Sequence, residues 1–414
     1  MVKVGKYTAA LLLVTVGAFL LIDLMLKTTL IETAIQWWPL ILISVGIEYL
    51  VLGALMRDPE KKVRLATGSL ALSIILSIVV VGLSTGSNFS LIKNINLNFA
   101  GISLADESGI KFDKGTVVIP VKPNAQKISI ENTNGDVKLV QGDSSELEVE
   151  LVLYVHLSKK DEAERIAEES TIVTKQVGDT LHIIAEGKKY QVFGISQKPR
   201  MNLVITVPRD ADARDYYLEL TNGDILVDGV KVDKTLHAES TNGSIEAKRI
   251  NGNVSVESTN GKIIMSDIHG NAYADTTNGS IMLTDIDGDA HADSTNGKVV
   301  ITRVTGDVDV ETTNGSVDMT DVEKDAKAET TNGSITARTY KLGGNWDLDT
   351  THSKIQVYLP EDASFAVDGE SSVAGSISTD FPLDMTKDKI KGSVNGGTFK
   401  ISIETIGGIG VHKN

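Results

Sequence analysis

The chain has 414 residues, of which 41% are hydrophobic but only 5% aromatic, with 37 glycines and a formal net charge of −15. So few aromatics with so much glycine argue against one large conventional core and for turn-rich β repeats. Cysteine is absent, which excludes a disulfide framework, a thiolate metal site and a cysteine nucleophile.

In chain order, residues 1–83 hold three apolar runs, roughly 7–26, 35–56 and 65–83. Each is near the length that crosses about 30 Å of hydrocarbon, so three transmembrane helices are expected. Lys3 and Lys6 precede the first run, and Arg57, Lys61, Lys62 and Arg64 fill the second link, while the first link offers Lys27 against Glu32. The positive-inside rule then predicts a multi-pass cell-membrane protein with a cytoplasmic N-terminus and everything after about residue 84 extracytoplasmic. Trp37, Trp38 and Pro39 fall where an aromatic belt is expected. The alternative, a cleaved signal peptide, is disfavoured because no Ala-x-Ala site follows the first run. Two acids fall inside the runs, Asp23 and Glu48. Glu48 is the costlier placement and the candidate intramembrane acid, with a relay or sensing role as one reading and helix packing as the other.

Residues 1–83 carry seven Lys/Arg and five Asp/Glu, which leaves −17 for residues 84–414. So acidic a region disfavours nucleic acid as a partner and mildly favours cationic ligands. Residues 84–115 read as a connector. Residues 116–215 read as a β-rich entry domain, with strand-like runs such as Leu147–His156 and Met201–Val207. Ser158, Asp161 and Glu162, followed by Ala163, Ile166 and Ala167, predict one capped surface helix of about three turns.

The triplet Thr-Asn-Gly then begins at Thr241, Thr259, Thr277, Thr295, Thr313 and Thr331, an internal repeat of constant spacing. Outlying copies start at Thr133 and Thr221, and a degenerate Thr351-His352-Ser353 follows. The array is placed at 216–360, with a C-terminal β cap over 361–414. Each unit divides into two equal halves, each a short strand and a turn. Apolar columns follow: Ile263, Ile281 and Val299; Met265, Leu283 and Ile301; and the smaller Ala272, Ala290 and Val308 with Ala274, Ala292 and Val310. A third column, Ile250, Ile268, Ile286, Val304 and Val322, closes the corner between the walls.

The expected fold is mainly β, a right-handed-type β-solenoid of 18-residue coils behind the three-helix region. The alternative is an antiparallel β-meander array with Asn-Gly hairpins, which would leave one face of the columns uncovered. Asn-Gly is expected to supply positive φ at each corner. Asn242, Asn260, Asn278, Asn296, Asn314 and Asn332 are expected to form a side-chain amide ladder.

The Thr-Asn-Gly-[Ser/Lys]-[Ile/Val] repeats, the lead-in Val204-Ile-Thr-Val-Pro208, the exit Ile355-Gln-Val-Tyr-Leu-Pro360 and the closing Phe399-Lys-Ile-Ser-Ile-Glu-Thr405 resemble the bacterial toast-rack, or candidate adhesin, family over about 200–410. The N-terminal runs, with Trp37-Trp38-Pro39 and Ile43-Ser-Val-Gly46, are similar to the membrane region of Lia-type envelope-stress proteins. The resemblance implies a protein that senses or shields the bacterial envelope against stress such as antimicrobial peptides, and it supplies no catalytic residues. Segment 137–200, with its helix, departs from the simplest family pattern.

No catalytic constellation stands out. The seven histidines, His156, His182, His237, His269, His291, His352 and His412, show no short metal-ligand spacing. His237 and His291 share a column but lie three coils apart, too far to share a metal. Phosphate-loop, dinucleotide and nucleophile-elbow motifs are missing. The expected function is therefore a non-enzymatic interaction or stress-sensing module without cofactor, catalytic or metal residues. An adhesin-like structural surface protein is the alternative, and a carbohydrate-active β-helix enzyme a less favoured one. One acidic column recurs once per repeat: Glu239, Glu257, Asp275, Asp293, Glu311 and Glu329, continued by Asp349. Stacked in register, these carboxylates would lie about 4.8 Å apart; one reading is a solvated column whose charges salt and water screen, the other a candidate stripe for a cationic peptide or divalent cation. An envelope protein is the remaining candidate partner.

Overall fold

The structure, a computed structural model, describes residues 2–4, 14, 15, 18, 22, 63–65 and 109–414 except 158, 193, 194 and 373–375. Met1–Ser108 and Gly109–Asn414 form two separate units. In the first, Val2–Val4 pairs in parallel with Val63–Leu65.

This corrects the expectation of a multi-pass membrane protein. Among the described residues no helix is long and apolar enough to cross a membrane. Leu65, where the third crossing was expected to begin, belongs to a strand. An apolar run satisfies a hydropathy window whatever its backbone does, and the β-branched Val63 suits a strand. The bulk of the three apolar runs, with Glu48, Asp23 and Trp37-Trp38-Pro39, lies outside the described residues.

The second unit is built by repeating one coil along an axis. Ile263–His269 pairs with Ile281–Ile286, which pairs with Val299–Val304 and then Val317–Val322, always in parallel and always between equivalent positions of successive repeats. The other half of each coil does the same, from Ala272–Thr276 through Ala290–Ser294 and Val308–Thr312 to Ala326–Thr330. Each coil thus gives one strand to sheet II, starting at the Ile/Val column, and one to sheet I, starting at the Ala/Val column. Ile245–Ser258 runs unbroken through both. Parallel pairing in this register is the solenoid arrangement, since hairpins of a meander would pair antiparallel.

The inward columns are sealed. Ile263, Met265, Ile281, Leu283, Val299 and Ile301 are all 0% exposed, and the corner residues Ile268, Ile286 and Val304 are at most 1% exposed. Each such side chain contributes about 1.5–3 kcal/mol on burial, and because every coil repeats it the core grows linearly along the axis. A buried hydroxyl column runs beside them: Ser258, Thr276, Ser294 and Thr312 donate to the carbonyl oxygens of Gly243, Gly261, Gly279 and Gly297 in the preceding coil. That satisfies polar groups that would otherwise be costly inside.

The Asn-Gly corners differ from expectation. Positive φ occurs at Gly135 and Gly223 in the first two coils, but in the regular coils it falls on the opposite corner, at Arg249, Asp267, Asp285, Arg303 and Asp321. Glycine in the later Asn-Gly pairs serves another purpose, close approach of one coil's backbone to the next.

The coil around Thr133 belongs to the same stack. Lys127–Asn134 and Val137–Gly142 pair in parallel with Arg214–Asn222 and Ile225–Asp228, although the whole of segment 143–213 intervenes. That excursion extends both sheets. Arg200–Pro208 joins Val137–Gly142 and, antiparallel, Leu147–Val155, while Thr180–Glu186 joins Lys127–Asn134. Helix α1, Lys160–Glu168, buries Ala163, Ile166 and Ala167, and its N-cap Lys159 makes no side-chain capping bond. At the other end chain order and spatial order part. Phe399–Thr405 is inserted between Trp346–Thr350 and Phe365–Ser371, parallel to both.

Candidate functional site

Sheet I alternates inward and outward residues, so its outer face repeats as columns two residues apart. In one column Glu239 pairs with Glu257, Glu257 with Asp275, Asp275 with Asp293, Asp293 with Glu311 and Glu311 with Glu329. Asp349 continues it, as the sequence indicates. The column also runs further than the repeat spacing alone indicates: Glu131 and Glu219 precede it, and Glu404 and Glu370 follow Asp349. Eleven carboxylates therefore stand in unbroken register. The signal for the early members is present in the sequence: Glu131 and Glu219 each sit two residues before a Thr-Asn-Gly, as Glu239 does. Glu404 and Glu370 carry no such triplet and are placed there only by the inserted coil.

Basic side chains stand at both ends. His182 lies 3.7 Å from Glu131, and Lys389 lies 3.3 Å from Glu370. Inside the column Lys327 pairs with Glu329 at 2.7 Å. The other eight carboxylates have no ion-pair partner among the described residues. Adjacent like charges on neighbouring strands cost roughly 0.2–1 kcal/mol each. The strain registers at two positions. Burial first, then the charges of Asp275 and Glu311, push the Asp293 carboxyl above its ordinary value. Burial, then Glu404 and Glu329, does the same to Asp349.

The neighbouring outer column reads Ser129, Tyr217, His237, Ser255, Tyr273, His291, Asp309 and Lys327 along the stack. His237 and His291 are thus separated by Ser255 and Tyr273. A groove of about 800 Å³ opens over this column, lined among others by Tyr273, His291, Asp309, Lys327, Asp289 and Asp325. Its far wall is a second ladder that the sequence reading missed. Asp289 N–H donates to Asn271 Oδ1, Asp307 N–H to Asp289 Oδ1 and Asn345 N–H to Asp325 Oδ1. Asn271 and Asp289 make the same bond, so the fold needs an acceptor there but not a charge. The available signal is a Gly-[Asn/Asp] step that recurs once per repeat, at Gly252-Asn253, Gly270-Asn271, Gly288-Asp289 and Gly306-Asp307.

At the Asn-Gly corner each amide donates to the one before. Asn242 Nδ2 lies 3.0 Å from Asn222 Oδ1, Asn260 3.0 Å from Asn242, Asn278 2.9 Å from Asn260, Asn296 3.0 Å from Asn278, Asn314 2.9 Å from Asn296 and Asn332 2.9 Å from Asn314. Asn222 continues the chain to Asn134. These amides cross-brace the coils and are structural. Among the described residues no group of three or more His, Asp or Glu side chains could hold a metal ion.

Comparison with known proteins accords with this architecture. The profile of the Toastrack DUF4097 family matches residues 125–408, well over half of the chain, and the chain belongs to that family. No curated protein matches it. Among solved structures it is similar to a candidate cell adhesion protein from Clostridium sporogenes (12% identity, TM-score 0.19, 73% of this chain and 100% of that one) and a candidate adhesin from Bacteroides fragilis (16%, 0.28, 74% and 98%). It is also similar to a candidate lipid binding protein from Parabacteroides distasonis (14%, 0.26, 72% and 95%). Likenesses this loose say nothing of function.

Proposed function

We propose that this chain is a non-enzymatic binding module whose carboxylate face captures extended polycationic ligands, basic peptide segments above all. The observation that carries the reading is the unbroken eleven-member column, most of whose carboxylates lack a cationic partner among the described residues. Such a face is held in mutual repulsion by the fold and is relieved by any ligand that spreads positive charge along it. A divalent cation fits less well. Ca²⁺ takes six to eight oxygen ligands, whereas the column offers one carboxylate per coil and, among the described residues, no three acidic side chains converge. In an envelope-stress role of the kind the family resemblance implies, capture of such a peptide would be the input.

The test is a set of melting curves with and without a basic peptide, at low and high salt. The proteins are the wild type and a variant with Glu257→Gln, Asp275→Asn, Asp293→Asn and Glu311→Gln. The peptide should raise the wild-type midpoint at low salt and do so less as salt rises. The neutralised variant should start higher and respond less. Equal responses from both proteins would leave the column as a solubility feature and end this reading.

A further inference from the structure

The column beside the carboxylates repeats with a longer period than the coils do. Ser129, Tyr217 and His237 occupy three successive coils, and Ser255, Tyr273 and His291 the next three, in the same outer column. Each tyrosine therefore has a small serine on one side and an imidazole on the other. The two pairs have nearly the same geometry, with ring centroids 6.4 Å apart at 48° for Tyr217 and His237, and 6.3 Å apart at 44° for Tyr273 and His291. Both tyrosines are exposed, by 40% and 45%. Nothing in the core calls for an aromatic on this face, since the inward columns are already sealed. Each tyrosine also lies two residues from a ladder carboxylate, Glu219 or Asp275, with Glu239 or Asp293 one coil on.

The molecule itself shows what such a pair takes. On the outer face of sheet II, Tyr358 stands beside His412 in the adjacent coil, ring centroids 5.8 Å apart. There the guanidinium of Arg338 lies over the tyrosine, 4.2 Å from the ring centroid. A Tyr–His pair on this solenoid is thus a seat for a guanidinium, filled on sheet II by the chain's own arginine. On sheet I the described residues supply no such arginine, and the flanking carboxylates add the bidentate acceptors that Arg uses and Lys cannot match.

We infer that Tyr217 and Tyr273, with His237 and His291, form two arginine seats on the carboxylate face, and that the partner is an extended peptide with arginines four residues apart. This rests on the reading of that face as a polycation-binding surface and names its specificity. The spacing follows from geometry. The tyrosines are three coils apart, about 14 Å at the usual inter-strand distance, and four residues of extended chain span about 13 Å with both side chains on one side. Spacings of three or five residues would point the second arginine away.

The test uses full-length protein and synthetic extended peptides of Thr and Val with equal net charge. One carries two Arg four residues apart, one two Lys at the same positions, and one two Arg three residues apart. By calorimetry at low salt the first should bind about two- to fivefold more tightly than the third, the increment of one partly exposed cation–π seat, and more tightly than the second, whose ammonium lacks the planar bidentate fork. The double variant Tyr217→Leu, Tyr273→Leu, which alters only outer-face side chains, should lose that preference while keeping the salt dependence set by the carboxylates. Equal affinity for all three peptides, or an undiminished preference in the leucine variant, overturns the arginine seats. The polycation reading survives that result if the neutralised ladder still binds less. Failure of every peptide to bind the wild type ends both.

Discussion

Gly261 sits directly against Gly243 of the preceding coil, so that a Cβ built on Gly261 would run into the carbonyl carbon and oxygen of Gly243. The same contact recurs at Gly279 on Gly261, Gly297 on Gly279 and Gly315 on Gly297. None of these four has a positive φ. The glycine is therefore required by how closely the coils stack, and the corner hydroxyls of Ser258 and Thr276 exploit the same closeness to reach the carbonyls.

Replacing Gly279 with alanine should cost at least about 3 kcal/mol, in the range of severe overpacking, because the atoms met are backbone and cannot swing away. Chemical denaturation measures it. A loss near the ~1 kcal/mol or less typical of a mere change in backbone freedom would show that the coils can spread to admit a methyl group.

Much of this stack was legible in the sequence because a strict repeat leaves almost no freedom. Once Ile263, Ile281 and Val299 share a column, parallel pairing in that register follows, and with it the alignment of Glu257, Asp275 and Asp293. Features that break the period were not legible. The coil at Thr133 carries the same Glu-x-Thr-Asn-Gly as the one at Thr221, but the excursion between them breaks the spacing that would make Asn134 and Asn222 neighbours. Glu404 reaches the carboxylate column only because its strand slips between two earlier ones. The corner that takes positive φ departs from expectation: Asn-Gly is the usual signal for it, yet Asp285 and Arg303 carry it, at the one position the strand register skips, between Thr284/Thr302 and Ile286/Val304. The N-terminal apolar runs were read by hydropathy alone, which reports transfer energy and not the strand at Val63–Leu65.

The raised carboxyls of Asp293 and Asp349 fix the sign of a pH effect. An acid whose folded-state pKa lies above its unfolded value, here 3.8, favours the fold in its protonated form. That contribution is complete below 3.8 and is lost as pH rises through the raised folded value. The melting temperature should therefore rise as pH is lowered from neutrality into the range just above 3.8. Asp293→Asn should raise it at neutral pH and flatten the rise. Below 3.8 the opposite trend sets in as Asp285, held low by its hydrogen bond and charge pairing with Arg303, is protonated and loses that partner. A profile with the same slope in wild type and variant would mean that the ladder charges do not couple through the fold.

The inserted coil makes the sharpest structural prediction. Phe399–Thr405 bonds on one side to Trp346–Thr350 and on the other to Phe365–Ser371, and Ile409–Lys413 does the same between Ile355–Leu359 and Ile377–Thr379. It carries Ile401, Ile403, Ile409 and Val411 into the core, all at most 2% exposed. Deleting residues 399–414 leaves a gap two strand spacings wide, roughly 9.6 Å, between the coil of Trp346 and the coil of Phe365. The outer coil then loses its parallel partner and the floor beneath Phe365 and Phe381, which pack edge to face 5.1 Å apart. In a stack where each coil is supported mainly by its neighbours, the loss should stay at that end. Hydrogen exchange should show amides 365–394 unprotected, those at 346–359 weakened, and those at 263–312 nearly unchanged. A synthetic peptide of residues 399–414 added in trans should restore the lost protection. If instead the truncated protein keeps full protection over 365–394, the outer coil has closed onto Trp346–Thr350, and the inserted strand pair is dispensable to the stack.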